Sequence, residues 1–76
     1  MSSDKDVMRI IGKRIKELRI ENGFTSYENF AFEHDLSARY YWGVENGRNI
    51  SIKYLLKLLD IFSIDIKVFF LSLEIK

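Results

Sequence analysis

The stretch SARYYWGVENG, Ser37 to Gly47, holds the residues best suited to contact another molecule. Arg39 carries a guanidinium, Tyr40 a phenol and Trp42 an indole, while Gly43 offers bare backbone. That set suits recognition rather than bond making. Nothing elsewhere supplies the groups catalysis needs: there is no phosphate-cradling glycine loop and no nucleophile with a nearby histidine, and the carboxylates are scattered singly. The sequence therefore predicts a binding protein and not an enzyme. His34 has no second histidine, cysteine or clustered carboxylate at ligand spacing, so neither a metal nor a cofactor is expected.

A short helix would position these side chains. The Ser37 hydroxyl can cap the free amides of a first turn, and Gly47 can take the positive φ of a helix stop. Tyr41 and Val44, three apart, then point one way with Leu36 just before them, while Ala38, Arg39, Trp42 and Gly43 fall on the opposite side. One side packs and the other is offered. Tyr40 and Trp42 either fold back onto a neighbour or wait for a partner, since soluble domains seldom leave aromatic surface bare.

The flanking chain supplies further helices. Val7, Ile11, Ile15 and Leu18 repeat at four, four and three, the stripe of an amphipathic helix from Val7 to about Asn22, which the Asn22-Gly23 pair stops. Arg9, Lys13 and Lys16 form a basic stripe on another face, open to solvent or to phosphate. Phe24 returns to the core, and Thr25 with Glu28 has capping-box spacing, with Ser26 as a competing cap. In the second helix Phe30 and Ala31 face inward, His34 is a surface or turn residue, and Asp35 ends the helix in the left-handed region. Leu36 plugs the corner. Ser51 caps a fourth helix whose buried stripe is Ile52, Leu55, Leu58, Leu59 and Phe62, and Asp65 caps a last one through Val68, Phe69 and Phe70. The tail alternates Leu71, Leu73 and Ile75 with Ser72, Glu74 and Lys76 and reads as strand-like. It serves either as a helix end packed on the core or as a dimer contact.

Seventy-six residues allow one small domain, and 47% hydrophobic residues give it ample core material. The organisation expected is a mobile N-terminal tail over residues 1–6, a helical domain over 7–70, and a C-terminal apolar tail over 71–76 as candidate dimer contact. With no cysteine the fold must rely on packing or on a partner subunit, a composition that fits the cytoplasm. No apolar run spans a bilayer, and MSSDKDVMR lacks the apolar core of a signal peptide, so no membrane association is expected. The net charge is only +1. It divides unevenly: residues 1–24 carry six basic and four acidic groups, 25–47 one and four, and 48–76 five and three. If the chain meets phosphates, groups flanking the negative middle must do most of it.

Taken in order, GKRIKELR, FAFEHDLS, SARYYWGVENG, NISIKYLLKLLDIF and SIDIKVFF resemble the five helices of the Cro and phage-repressor type, XRE-like helix-turn-helix family. Two short helices joined by a turn of about three residues form its central unit. The resemblance covers residues 12 to 70. It implies an all-α, lambda-repressor-like domain of five helices that binds double-stranded DNA as a homodimeric transcriptional regulator, helix three entering the major groove from Ser37 to Asn46. It further implies an architectural ion pair between Arg19 and Glu45. Arg39 is the expected base reader, since a guanidinium can bond guanine through two hydrogen bonds; Ala38 or Trp42 would meet a thymine methyl, and Gly43 would admit the backbone closely. Ser26, Tyr27, Asn46, Arg48 and Lys53 are the expected phosphate contacts. Three positions depart from the family pattern: the loop from Gly23 to Ser26 is one residue longer, Tyr27 replaces a polar residue that is often Gln, and Asp35 replaces the turn glycine. The competing reading keeps the fold but exchanges DNA for a protein partner, held by an aromatic patch of Tyr27, Tyr40 and Trp42.

Overall fold

A computed structural model describes residues 3–73, and among them the chain forms five α-helices and no strand. The fold is all-α. Helix α1 runs Asp4–Glu21, α2 Tyr27–Glu33, α3 Ala38–Glu45, α4 Ile52–Phe62 and α5 Ile66–Leu71. Each begins with a side-chain cap of the same chemistry. Ser3, Ser26, Ser37 and Ser51 accept a backbone N–H three residues on, and Asp65 accepts one two residues on, which satisfies an amide that the first turn leaves free.

Two local expectations are corrected, and one open choice of cap is settled. Helix α1 starts at Asp4 rather than Val7, because Ser3 caps it and Asp4 and Asp6 sit where the helix dipole favours negative charge; residues 3–6 therefore belong to the helical domain and not to a tail. Ser26, and not Thr25, caps α2. Ile52, placed in the buried stripe of α4, is 63% exposed. It occupies the first helical position, ahead of the turn that packs, and the stripe that does pack is Leu55, Leu58, Leu59 and Phe62.

The core is one cluster drawn from all five helices. Ile11, Ile15 and Leu18 of α1 join Phe30 and Ala31 of α2, Tyr41 and Val44 of α3, the α4 stripe and Phe69 of α5. Phe30 lies at its centre, its ring 4.9 Å from Tyr41, 5.3 Å from Phe62, 5.3 Å from Phe24 and 4.7 Å from His34. His34 is a turn residue, as expected, at the C-terminus of α2, and it is half buried with its ring packed on Phe24 and Phe30. Asp35 takes φ 57° just after it, the left-handed turn that reverses the chain toward α3.

Helix α3 packs against both α1 and α2. Its approach to α1 depends on Gly12: an added Cβ there would press on the Val44 carbonyl and lie 2.8 Å from the Glu45 carbonyl. Backbone meets backbone at this crossing. After α5, Ser72 and Leu73 lie back against the body of the domain: Arg14 Nε donates to Ser72 Oγ at 3.1 Å and Leu73 packs on the core. Leu71 closes α5 instead of starting a strand. Glu74, Ile75 and Lys76, the rest of the alternating tail, lie outside the described residues, as do Met1 and Ser2.

Candidate nucleic-acid interface

Helix α3 is held at both ends. The Ser37 hydroxyl accepts the Tyr40 N–H at 3.2 Å, and beyond the last turn Asn46 Nδ2 donates to the Trp42 carbonyl at 2.8 Å. Gly47 then adopts φ 96°, with Arg9 Cγ 2.9 Å from where a Cβ would stand, and Arg48 N–H returns to the Gly43 carbonyl at 2.9 Å. A side chain at Gly47 would be strained by backbone and by space alike.

The inward side of α3 ends in a polar group sealed inside the fold. Arg19 Nε donates to Glu45 Oε2 at 2.7 Å and Nη2 to Oε1 at 3.2 Å, while Nη1 donates to the Phe24 carbonyl at 2.7 Å. Tyr41 O–H donates to Glu45 Oε2 at 2.5 Å. Both charged side chains are 4% exposed, so the carboxylate has exchanged water for three fixed donors. The Glu45 hydrogen bond raises the Arg19 guanidinium further above its ordinary range, and burial, reinforced by Glu45, pushes the Tyr41 phenol well above its own. Removing either charged member would leave the other's charge uncompensated in a dry setting. The group ties α3, through Glu45, to the end of α1 and to the loop at Phe24, which sets how α3 lies on the body of the domain.

The outward side is smaller than the spacing suggests. Arg39 is exposed and Trp42 is 49% exposed. Ala38, expected beside them, is half buried and packs on the core, so its methyl is only partly available to a partner. Gly43 is covered by the Arg48 side chain. Among the expected phosphate contacts, Arg48 and Lys53 are exposed. Ser26 Oγ accepts from Asn29 N–H, which leaves its own proton to donate outward. The Asn46 amide donates to Trp42, so its role in the fold is to close α3. Tyr27 is half buried against the core.

The competing aromatic patch is not assembled. Tyr27 and Tyr40 are half buried, Tyr40 standing edge-on to Tyr54 with ring centroids 4.8 Å apart and Arg48 across its ring, so Trp42 is the one exposed aromatic of the three. Tyr54 is the residue that sequence reasoning missed here. It sits fourteen positions from Tyr40 on another helix, and no periodicity links the two. Burial, with Tyr40 adding to it, pushes the Tyr54 phenol up to about 12. Among the described residues no group of three or more histidine, cysteine or carboxylate side chains could hold a metal ion, and no helix is long and apolar enough to cross a membrane.

Five helices around one aromatic core, the second and third joined by a tight turn and the third exposing Arg39 and Trp42, define a helix-turn-helix domain. The sequence is 36% identical over 70 residues to the control protein C.MunI of Mycoplasma sp, a match spanning 91% of this chain and 95% of that protein. The chain belongs to the restriction-modification controller proteins. Among solved structures it is similar to the controller protein C.AhdI of Aeromonas hydrophila, with 36% identity, a TM-score of 0.71, and coverage of 83% of this chain and 96% of that one. It is similar also to the controller protein C.Esp1396I, solved as a tetramer in complex with its natural 35 base-pair operator, with 31% identity, a TM-score of 0.70 and 84% coverage of each chain. No family model matches the sequence. The relatives are regulatory controller proteins, not enzymes.

Proposed function

We propose that this chain binds double-stranded operator DNA as a transcriptional regulator of a restriction-modification system, acting in the cytoplasm as a homodimer with α3 in the major groove. The observation that carries the reading is the division of α3: Tyr41 and Val44 are fully buried, while Arg39 and Trp42 stand free on the other side. Arg39 reads a guanine edge and Trp42 meets an apolar base edge such as the thymine methyl. Arg48, Lys53 and the Ser26 hydroxyl flank them as phosphate contacts. The operator complex formed by C.Esp1396I supports the reading.

Self-association follows from charge and reach. A chain of net charge +1 holds one half-site weakly, and two copies about one helical turn apart, roughly 34 to 36 Å, combine their affinities. The surface offered for it lies on α4 and α5, where Leu56, Ile66, Val68, Phe70 and Leu71 are all more than a third exposed. Leu73, first grouped with the tail contact, packs on its own core and is less available. Titration of a labelled duplex pool at several salt concentrations tests the reading. Binding that weakens as salt rises, and that an Arg48→Ala, Lys53→Ala variant makes less salt-dependent, is expected. A chain that binds no duplex at low salt is not a DNA-binding regulator.

A further inference from the structure

Arg48 sits in the link after α3, where an exposed arginine would ordinarily sample many rotamers. Here it is restrained at three levels. Its N–H donates to the Gly43 carbonyl at 2.9 Å. Its stem crosses Gly43 so closely that a Cβ there would come within 3.2 Å of Nε and 3.3 Å of Cδ. Its guanidinium carbon is 4.9 Å from the centre of the Tyr40 ring. Tyr40 is restrained in turn, edge-on against Tyr54 at an interplanar angle of 69°. Among the described residues no carboxylate is paired with Arg48, and contact through a ring face leaves guanidinium N–H groups for a second partner.

We infer that Tyr40 and Gly43 are positioning residues for Arg48. Tyr40 is the platform for the guanidinium, and Gly43 is the gap that lets the stem reach it. The charge is thereby fixed beside the outward side of α3 before any ligand arrives, so less ordering remains to be done on binding. The partner class is a phosphate oxygen pair, which the guanidinium can bond through two parallel N–H groups. This choice of partner rests on the DNA-binding reading; the positioning itself does not.

The test uses the full chain as wild type, Tyr40→Phe, Tyr40→Leu, Gly43→Ala, Arg48→Ala and the double variant Tyr40→Leu, Arg48→Ala. In the free protein, NMR should show ring-current shifts at the Arg48 side chain that persist in Tyr40→Phe, vanish in Tyr40→Leu and change in Gly43→Ala. Gly43→Ala favours the helix, so it keeps the test open should Tyr40→Leu unfold. Against a labelled 35 base-pair duplex, the operator length of the C.Esp1396I complex, Tyr40→Leu should weaken binding by about threefold to tenfold and Tyr40→Phe should not. Once Arg48 is Ala, Tyr40→Leu should cost nothing more. An equal loss from Tyr40→Leu in the Arg48→Ala background would make Tyr40 a direct contact and overturn the inference, as would unshifted Arg48 signals in the wild type. If the wild type bound no duplex, the DNA reading would fall and the NMR result would still decide the positioning.

Discussion

The Arg19 guanidinium and the Glu45 carboxylate face each other across 26 positions of sequence, two N–H groups on two oxygens, with Tyr41 closing the third side. A desolvated pair of this kind contributes less net stability than its Coulomb attraction suggests, because both ions gave up water. Its removal is another matter. With Glu45 gone, Arg19 keeps only the Phe24 carbonyl, and Tyr41 loses its acceptor.

Glu45→Ala is therefore expected to cost on the order of 3 to 5 kcal/mol, whereas Glu33→Ala, at an exposed position, should cost well under 1 kcal/mol. Thermal unfolding of the two variants side by side reads the difference. Equal melting temperatures would remove the clamp from the account.

How far such a group can be read in advance depends on the range over which its signal acts. The apolar stripes of α1 and α4 and the hydroxyl or carboxylate caps at Ser37, Ser51 and Asp65 are local, and they mark the helices correctly. The Arg19 and Glu45 pair is long-range and is legible only through the family resemblance. Ser26 and Thr25 carry the same hydroxyl, so propensity cannot choose between them; the register of Phe30 and Ala31 against the core does. The start of α1 lies in polar residues with no stripe to mark it. Alternating Leu71 and Leu73 imitates a strand, yet Leu71 continues the helix that Asp65 caps and Leu73 packs back onto the core. The Tyr54, Tyr40 and Arg48 stack joins α4, α3 and their link, and only packing reveals it.

Gly12 gives a second test of how α3 is seated. Alanine there would gain about 1 kcal/mol of helix propensity but must displace the Val44 and Glu45 carbonyls, an overpacking cost of roughly 1 to 3 kcal/mol. Gly12→Ala should lower the melting temperature and weaken duplex binding together, because the crossing of α1 and α3 is what opens. A variant as stable as wild type would show that the crossing is slack.

Alkaline pH should unfold the protein early. The Tyr41 and Tyr54 phenols are both raised above their ordinary value near 10, Tyr54 to about 12, so the folded chain holds protons that the unfolded chain releases. Their contribution is complete below pH 10 and is lost as pH climbs through the folded values. Denaturant midpoints measured from pH 8 to 11 should fall above about pH 10 in wild type and fall less in Tyr54→Phe. Identical pH profiles would rule out Tyr54 as a contributor.

Leu71 and Val68 are 76% and 54% exposed, so lysine at either site should leave the fold intact. On the proposed dimer face the same charge would be buried against a partner. Leu71→Lys and Val68→Lys are expected to sediment as monomers at concentrations where wild type is dimeric. If all three sediment alike, α5 is not the interface.

Base reading by α3 is open to direct test by selection of bound sequences from a random duplex pool. Wild type should enrich a two-fold symmetric site with half-sites about one helical turn apart, roughly 10 base pairs. Arg39→Ala should enrich the same site with one position in each half-site released, a loss of about 1 to 3 kcal/mol of discrimination there. Enrichment of no sequence by the wild type, or of an unchanged site by Arg39→Ala, would contradict the account.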